Sequence, residues 1–330
     1  MENFVKHCID NGGIIKPLII PAEITNGTGL FNPSILNDNG TLLVNVRHCQ
    51  YTLYHSELNN YEHPWGPLLY LNPDDDKTLR TTNYIGVLDD NMVLDNIRRV
   101  DTTSLDKKPL WEFVGLEDGR LVKWDGRYYL TGVRRDVDPI GTGRMELSEI
   151  DIQRDKVTEV KRSRIPAPPP NNSYCEKNWM PILDRPFQYI KWSNPVEVVE
   201  ANIKEENNIQ CKTLYHGIFD DSPRIKDIRG ASQVIPYKDG YLAVQHLTVL
   251  YRSKTDRKNG TYRHQLTYWD KDWNVIKRSP IFSFMGAKIE FCCGMCEHKG
   301  YYYITFGYQD NAAYVVKVPE KVLGDFINGK

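Results

Sequence analysis

The sequence predicts an all-β fold, a five-bladed β-propeller with its active site in the central channel. Three observations predict it. Aromatic residues make up 11% of the 330, with 20 Tyr among them, and aromatic and β-branched side chains suit pleated, half-buried surfaces. Helical periodicity is scarce. Hairpin signals recur: turns near residues 40, 126, 185, 240 and 300 follow one another every ~60 residues after a longer first interval. That period accommodates one four-stranded blade with its loops. A two-domain β-sandwich is the competing arrangement.

Each repeat joins a short polar motif, an apolar run, a tight turn and a returning run. The first is FNPSILNDNGTLLVNVRH, turning at Asn39-Gly40. The second, LEDGRLVKWDGRYYLTGVRR, turns at Asp125-Gly126. Asn-Gly and Asp-Gly are strong hairpin signals because a type I′ turn needs positive φ at both central residues. The third, KNWMPILDRPFQYIKWSN, turns at Asp184-Arg185-Pro186. The fourth, RGASQVIPYKDGYLAVQHLT, turns at Asp239-Gly240, and the fifth, IEFCCGMCEHKGYYYITFGYQD, at Lys299-Gly300. Outer strands are expected at Gln50–Leu58, Met145–Ile152, Val196–Ile203, Arg263–Trp269, Val275–Phe284 and Ala312–Val318. Pro166–Pro170 is a stiff linker between repeats, too short to separate domains. Pro319–Asn328 is the single helix expected. Residues 1–330 thus form one domain, with segment 1–28 and the helix within 319–330 closing it.

Composition excludes several classes. With 42 basic and 43 acidic residues, the net charge of −1 gives no bulk electrostatic hold on nucleic acid. No apolar run approaches the ~18–20 residues that span a bilayer, so no membrane is expected. The N-terminus lacks the basic and apolar regions of a signal peptide. Seven cysteines without a spaced framework fit a reducing, cytoplasmic setting. Cys293 and Cys296 lack the second ligand pair of a structural zinc site and read as buried thiols. Asp74-Asp75-Asp76 reads as a solvated loop, and Asp136 and Asp138 as charge balance. Gly141-x-Gly143 lacks the strand-to-helix context of a nucleotide fingerprint. Neither metal nor cofactor is expected. Trp111, Trp179 and Trp192 suit either sugar stacking or core packing.

A propeller gathers equivalent strand ends at one mouth. The first strands contribute Asn32, Asp118, Lys177-Asn178, Ser232-Gln233 and Cys293-Gly294. The second strands contribute Arg47, Arg134-Arg135, Trp192, His246 and Asp310. The hairpin at Asp125-Gly126 is expected to set Asp118 against Arg134 and Arg135. The result is a pocket with carboxylates, guanidinium groups, a lysine and a histidine.

These residues carry a family resemblance, spread from about Phe31 to Lys317. Phe31-Asn32-Pro33, Arg47, Gly115-Leu116-Glu117-Asp118-x-Arg120, Lys177-Asn178, Gly240-Tyr241-Leu242 with His246, and Phe306–Asp310 form the ordered set. The pattern resembles the inverting β-mannoside phosphorylases and hydrolases of glycoside hydrolase family 130 and the related β-1,2-mannosyltransferases. The resemblance implies inverting glycosyl transfer with Asp118 as the key acid, its proton passing through a sugar hydroxyl. It implies that Asn32, Arg47, Glu117, Arg120, Lys177, Asn178 and Asp310 hold the sugar. Lys177 and His246 lie on the anion side, with Arg134, Arg135 and Arg144 as further anion candidates. Charge-assisted contacts from Arg and Lys suit a phosphate oxyanion.

The chain also departs from the family pattern. Asp118-Gly119-Arg120 stands for Asp-Pro-Arg, and Lys191-Trp192 for a His-Arg pair. Arg229–Gln233 replaces a glycine- and proline-rich turn. These changes touch the anion site and admit a nucleotide-activated donor. The expected partners are therefore a small sugar donor, a carbohydrate or other hydroxyl acceptor, and inorganic phosphate or a nucleotide sugar. Two alternatives stay open. A hydrolase needs a carboxylate base roughly 6.5–9.5 Å from the acid, for which Glu117, Glu176 and Glu290 are candidates. A non-catalytic sugar-binding propeller needs neither.

Overall fold

The computed structural model describes residues 2–25, 29–52, 60–63, 66–70, 78–170, 173–203, 209–223, 225–252 and 258–330. The chain is nearly all-β and runs as successive antiparallel meanders. The first comprises Gly29–Asp38, Thr41–Cys49, Leu79–Leu88 and Leu94–Asp101. The second comprises Glu117–Trp124, Arg127–Arg134, Arg144–Ile152 and Val157–Arg164. The third comprises Met180–Pro181, Gln188–Ser193, Val196–Asn202 and Gln210–His216. The fourth comprises Ile235–Tyr237, Gly240–Arg252, Lys258–Trp269 and Val275–Arg278, with Arg229–Gly230 also on its second strand. The fifth comprises Glu290–His298, Tyr301–Tyr308 and Ala312–Pro319, and its outer strand is Ile14–Pro17 from the N-terminus. The first two meanders share one sheet, because Val157 and Thr158 pair in parallel with Val100 and Asp101.

Turn chemistry sets the hairpins. Asn39 and Gly40, Asp125 and Gly126, and Lys299 and Gly300 all have positive φ, as type I′ turns demand. The fourth turn falls one residue earlier than expected. Tyr237 pairs with Gly240, so Lys238 and Asp239 form the loop. Gly240 is required for space, since a Cβ there would lie 2.0 Å from the Trp269 carbonyl oxygen.

Hydrogen bonds tie each inner strand to the next. Ser34 Oγ donates to the Gly119 carbonyl at 2.8 Å and accepts from the Leu121 amide at 2.9 Å. Trp124 Nε1 donates to the Ile182 and Leu183 carbonyls, both at 3.2 Å. Val234 and Leu183 bond across the third and fourth meanders at 3.0 Å. Gln233 accepts from the Met295 amide and donates to the Ile35 and Leu121 carbonyls, all at 2.9 Å. Thr305 Oγ1 donates to the Pro33 carbonyl at 2.6 Å. Aromatic cores fill the wedges between sheets. Trp124, Trp179 and Tyr189 lie between the second and third meanders, and Phe282, Phe284 and Phe306 between the fourth and fifth. Each such buried ring contributes about 1.5–3 kcal/mol.

Three expectations need correction. Gln50–Leu58 is not the third strand of the first meander; Leu79–Leu88 is. Its inward Thr81 and Asn83 disguise it, because they are hydrogen-bond partners of Arg47 and the Leu116 carbonyl rather than apolar core. Tyr51–Thr52 pairs instead with Gly66–Tyr70 in a separate small sheet, and residues 53–59 and Asp74–Asp76 lie outside the described residues. Val275–Phe284 divides into Val275–Arg278 and Phe282–Ser283, with Pro280 between them. The tail helix Glu320–Ile327 is present, but Phe4–Asp10 and Ala22–Thr25 are helical too. The Phe4–Asp10 helix is short, capped by Asn3 and held by Phe4, whose ring lies 4.9 Å from both Phe282 and Phe326. Tertiary packing rather than periodicity makes it. No helix among the described residues is long and apolar enough to cross a membrane.

Candidate active site

Backbone irregularities build the site. The first strands of the first two meanders carry bulges between Phe31 and Ser34 and between Glu117 and Arg120. Within them Asn32 and Asp118 take φ of 46° and 51°, a left-handed conformation that Asn and Asp tolerate better than most residues. Asn178 has φ of 62° at the matching place in the third meander. Bulges re-aim side chains beside active sites. Here they bring Asn32 and Asp118 together. Gly307 makes the room, since a Cβ there would lie 2.2 Å from Asn32 Oδ1.

Asp118 Oδ1 accepts from Arg47 Nη1 at 2.7 Å and from Asn32 Nδ2 at 2.8 Å. Arg47 Nη2 also pairs with Glu117 at 3.6 Å, and the guanidinium donates to Thr81 Oγ1 and lies over the Phe31 ring. Arg120 is buried. It donates from Nη1 to the Asp118 carbonyl at 2.7 Å and from Nε to the Ala231 carbonyl at 2.8 Å. Burial pushes the Asp118 carboxyl up, but Arg47, Arg120 and Asn32 outweigh it and hold it at about 2.

Asp310 behaves in the opposite way. Burial, with the charges of Asp118 and Glu117, pushes its carboxyl up to about 7, although Arg47 and Lys177 oppose the shift. Opposite shifts in two interacting carboxyls are the pattern of acid–base sites. His246 is buried, and burial brings its imidazole down to about 3, aided by Arg229, Lys177 and Arg120. Its Nδ1 donates to the Gly230 carbonyl at 2.8 Å, which leaves the Nε2 lone pair as an acceptor. Tyr262 stacks on His246 at 5.8 Å, and its hydroxyl is pushed up to about 12 by burial and by Asp310 and Asp118.

The sequence-derived residues therefore divide. Asn32, Arg47, Glu117, Asp118 and Arg120 form one hydrogen-bonded group, and Asp310, Lys177 and His246 act on it or on each other electrostatically. Asn178 lies beside it, its carbonyl packed against Gly230. Arg134, Arg135 and Arg144 are engaged elsewhere. Arg134 pairs with Glu146, with Asp136 at 3.3 Å and with Glu159 at 3.7 Å, all buried. Arg135 donates to the Gly141 carbonyl and Cys175 Sγ, and Arg144 to the Gly143 carbonyl. The expected contact of Asp118 with Arg134 and Arg135 is thus replaced by Arg47 from the neighbouring meander. Arg229 and Tyr262 were missed. Arg229 occupies the fourth repeat's motif as Lys177 does the third's, a legible signal. Tyr262 sits on a third strand, where nothing in the pattern marks it. Of the three tryptophans weighed, Trp179 is buried, Trp111 packs on Gly141, and Trp192 stays 44% exposed.

The chain matches no protein-family model and no curated protein sequence. Solved structures do match. A β-1,2-mannobiose phosphorylase from Listeria innocua aligns at 14% identity and TM-score 0.54, over 95% of this chain and 96% of that one. A glycosyl hydrolase from Bacteroides ovatus aligns at 15% and 0.56, over 89% and 85%. A mannose phosphorylase from Leishmania mexicana, in complex with phosphate ion, aligns at 10% and 0.51, over 99% and 94%. Identities of this size carry the fold and no more, so the chain has the fold of the mannoside phosphorylases and hydrolases of glycoside hydrolase family 130.

Proposed function

We propose that the chain is a five-bladed propeller enzyme that transfers a mannosyl-type glycosyl unit with inversion, using phosphate as the second substrate. The observation that carries this is the opposite shifting of two carboxyls within one basic cluster. Arg47 and Arg120 lower Asp118, burial raises Asp310 against Arg47 and Lys177, and Arg229, Lys177 and Arg120 act together on His246. An oxocarbenium-like transition state needs a proton donor at the leaving oxygen and a nucleophile on the opposite face of the sugar. Phosphate supplies the nucleophile's charge itself, so no protein base is required, and basic side chains hold it. Asn32, Arg47 and Asp310 would hold the sugar. Mannose enters from the fold's solved relatives, as does phosphate.

The hydrolase alternative weakens because its candidate bases are occupied. Glu290 accepts the backbone amides of Phe284, Met285 and Ala287 at 2.6–3.0 Å. Glu176 accepts from Ser173 at 2.6 Å and Trp179 at 3.0 Å. Glu117 is engaged by Arg47.

The test is a thermal-shift panel of phosphate, mannose 1-phosphate, GDP, UDP and nucleotide sugars, followed by turnover assays. A ligand that binds only the folded chain stabilises it by about 2.7 kcal/mol at one hundred times its dissociation constant. Phosphate or mannose 1-phosphate is expected to raise Tm, and phosphate release is expected in the synthetic direction. A shift with nucleotides alone would make the chain a nucleotide-sugar glycosyltransferase. No shift in any arm would favour the non-catalytic sugar binder.

A further inference from the structure

The third meander's first turn departs from the others, because Asp184-Arg185-Pro186 stands where they have a glycine. Two rings of the fourth meander fix Arg185 there. Its Nε donates to the Tyr241 hydroxyl at 2.8 Å, and its guanidinium lies 4.9 Å from the Tyr241 ring and 5.2 Å from the Trp273 ring. Those rings stack on each other at 4.8 Å. Trp273 has φ of 68°, an outlier for so bulky a residue. Asp270 holds that loop by accepting from the backbone amides of Asp272 and Asn274 at 2.9 and 2.8 Å. Among the described residues, neither Nη atom of Arg185 makes a hydrogen bond or ion pair. A guanidinium ordered by its neighbours, with its fork unspent, has already lost the rotamer freedom that binding would cost.

Arg185 lines a groove of about 330 Å³ between the third and fourth meanders, with Gln188, Val198, Leu214, Lys271 and Asp272. Small-molecule sites span ~300–1,000 Å³. Lys271 is exposed and makes no ion pair among the described residues. The Gln188 amide oxygen is buried with no hydrogen-bond partner among them, a rare condition. Asp272, and Asp184 on the far side of the Tyr241 hydroxyl, are the acidic groups at hand. The groove lies at the turn end of the sheets, away from Asp118. Tyr262 and Trp269 sit toward opposite ends of one strand, ~23 Å apart at ~3.3 Å per residue, and Trp273 follows Trp269.

We propose that this groove is a second binding site, separate from the pocket around Asp118, for a sugar that carries one phosphate or carboxylate group. The lining selects that class. The Arg185 fork offers parallel N–H donors to a carboxylate or phosphate, and Lys271 adds a second cation. Asp272 accepts from sugar hydroxyls. Val198 and Leu214 give apolar surface to the C–H face of a ring. An uncharged sugar would leave the fork unpaired, and a bare anion would leave the apolar wall uncovered. The site stands whether or not the chain turns over a glycoside.

The experiment is a calorimetric titration of the full chain with glucose, glucose 6-phosphate and glucuronic acid, which share one ring. A charged sugar is expected to bind roughly tenfold or more tightly than glucose, the worth of hydrogen bonds to a charged group. Preference for glucose 6-phosphate identifies phosphate as the recognised group, and preference for glucuronic acid identifies carboxylate. Arg185→Met keeps the apolar stem over the rings and should abolish the preference. Arg185→Lys, which keeps the charge without the fork, should retain part of it. Lys271→Ala should weaken the charged sugar severalfold with Tm unchanged. Lys177→Ala alters the central pocket and should leave this binding intact. Three sugars that bind equally, or not at all, would overturn the proposal. So would a preference that survives Arg185→Met, or one lost in Lys177→Ala, which would place the binding in the central pocket. Inorganic phosphate competing as well as the better sugar would reduce the groove to a bare anion site and overturn its sugar specificity. If Arg185→Met does not fold, unchanged affinity in both Arg185→Lys and Lys271→Ala overturns it instead.

Discussion

Arg47 and Asp118 belong to different meanders and meet at 2.7 Å across the boundary between them. Arg47 sits at the end of a second strand and Asp118 in the bulge of a first strand 71 residues later. The pair makes the site a product of how two sheets dock.

Replacing Arg47 by Met tests that dependence. The variant keeps the apolar stem over Phe31 and removes the cation. Breaking a buried pair leaves an uncompensated charge, at a cost of about 3–5 kcal/mol. Denaturant unfolding at pH 7 should show that loss. It should shrink toward pH 4, where the freed Asp118 takes up a proton. An unchanged midpoint at both pH values would mean that the pair contributes nothing.

Asp310 makes stability fall with rising pH. Its folded carboxyl titrates at about 7, whereas an unfolded Asp titrates near ~3.9. Between these values the folded state holds the extra proton, so stability declines as pH rises through the window and stays lower above it. Asp310→Asn should flatten that slope. Tm measured at pH 4.5, 6 and 8 should show the variant gaining on wild type only at the higher values.

His246 acts in the other direction. The folded imidazole is brought down to about 3 and the unfolded one titrates near ~6.5. The unfolded state therefore binds more protons below that value, and stability falls as pH drops from about 6.5 toward 3. His246→Gln should remove this acid sensitivity. It should also impair turnover at pH 7 through loss of the Nε2 acceptor. Identical acid melting curves for variant and wild type would refute the buried neutral histidine.

Gly307→Ala probes positioning. The new methyl group would meet Asn32 Oδ1 at 2.2 Å and the Asn32 backbone nitrogen at 2.6 Å. Asn32 must shift, and its 2.8 Å bond to Asp118 must loosen. A loss of turnover larger than the change in Tm is expected, read from kcat/KM beside a melting curve.

Gln233→Leu probes the ring of inner strands. Its amide serves Ile35, Leu121 and Met295. Each buried partner left unpaired costs about 1–3 kcal/mol. Denaturant unfolding should show a loss of several kcal/mol, and a near-neutral result would mean that the inner strands hold together without this bridge.

Much of the fold was legible because hairpin chemistry is local. Asn39-Gly40 and Asp125-Gly126 announce themselves by residue type. Leu79–Leu88 did not, because its buried Thr81 and Asn83 answer to groups on other strands. The Phe4–Asp10 helix was hidden for a similar reason: Phe4 is held by rings nearly three hundred residues away. In the site, Asn32, Arg47 and Asp118 stood out by their repeat position. That position also nominated Arg134, yet Glu146 and Glu159, whose roles no repeat register reveals, hold its guanidinium. Tyr262 reaches the pocket from an outer strand by its height along the sheet, which a one-dimensional pattern does not encode.

The pairing of Ile14–Pro17 with Ala312–Pro319 has a consequence for biosynthesis. The strand Ile14–Pro17 waits for one about three hundred residues later before it finds its partner. The pocket waits as well, since its residues run from Asn32 to Asp310. Pairings so distant in sequence are slow to form and leave strand edges exposed meanwhile. A nascent chain halted anywhere before that last strand should therefore be inactive and dependent on chaperones, however well its early sheets have folded.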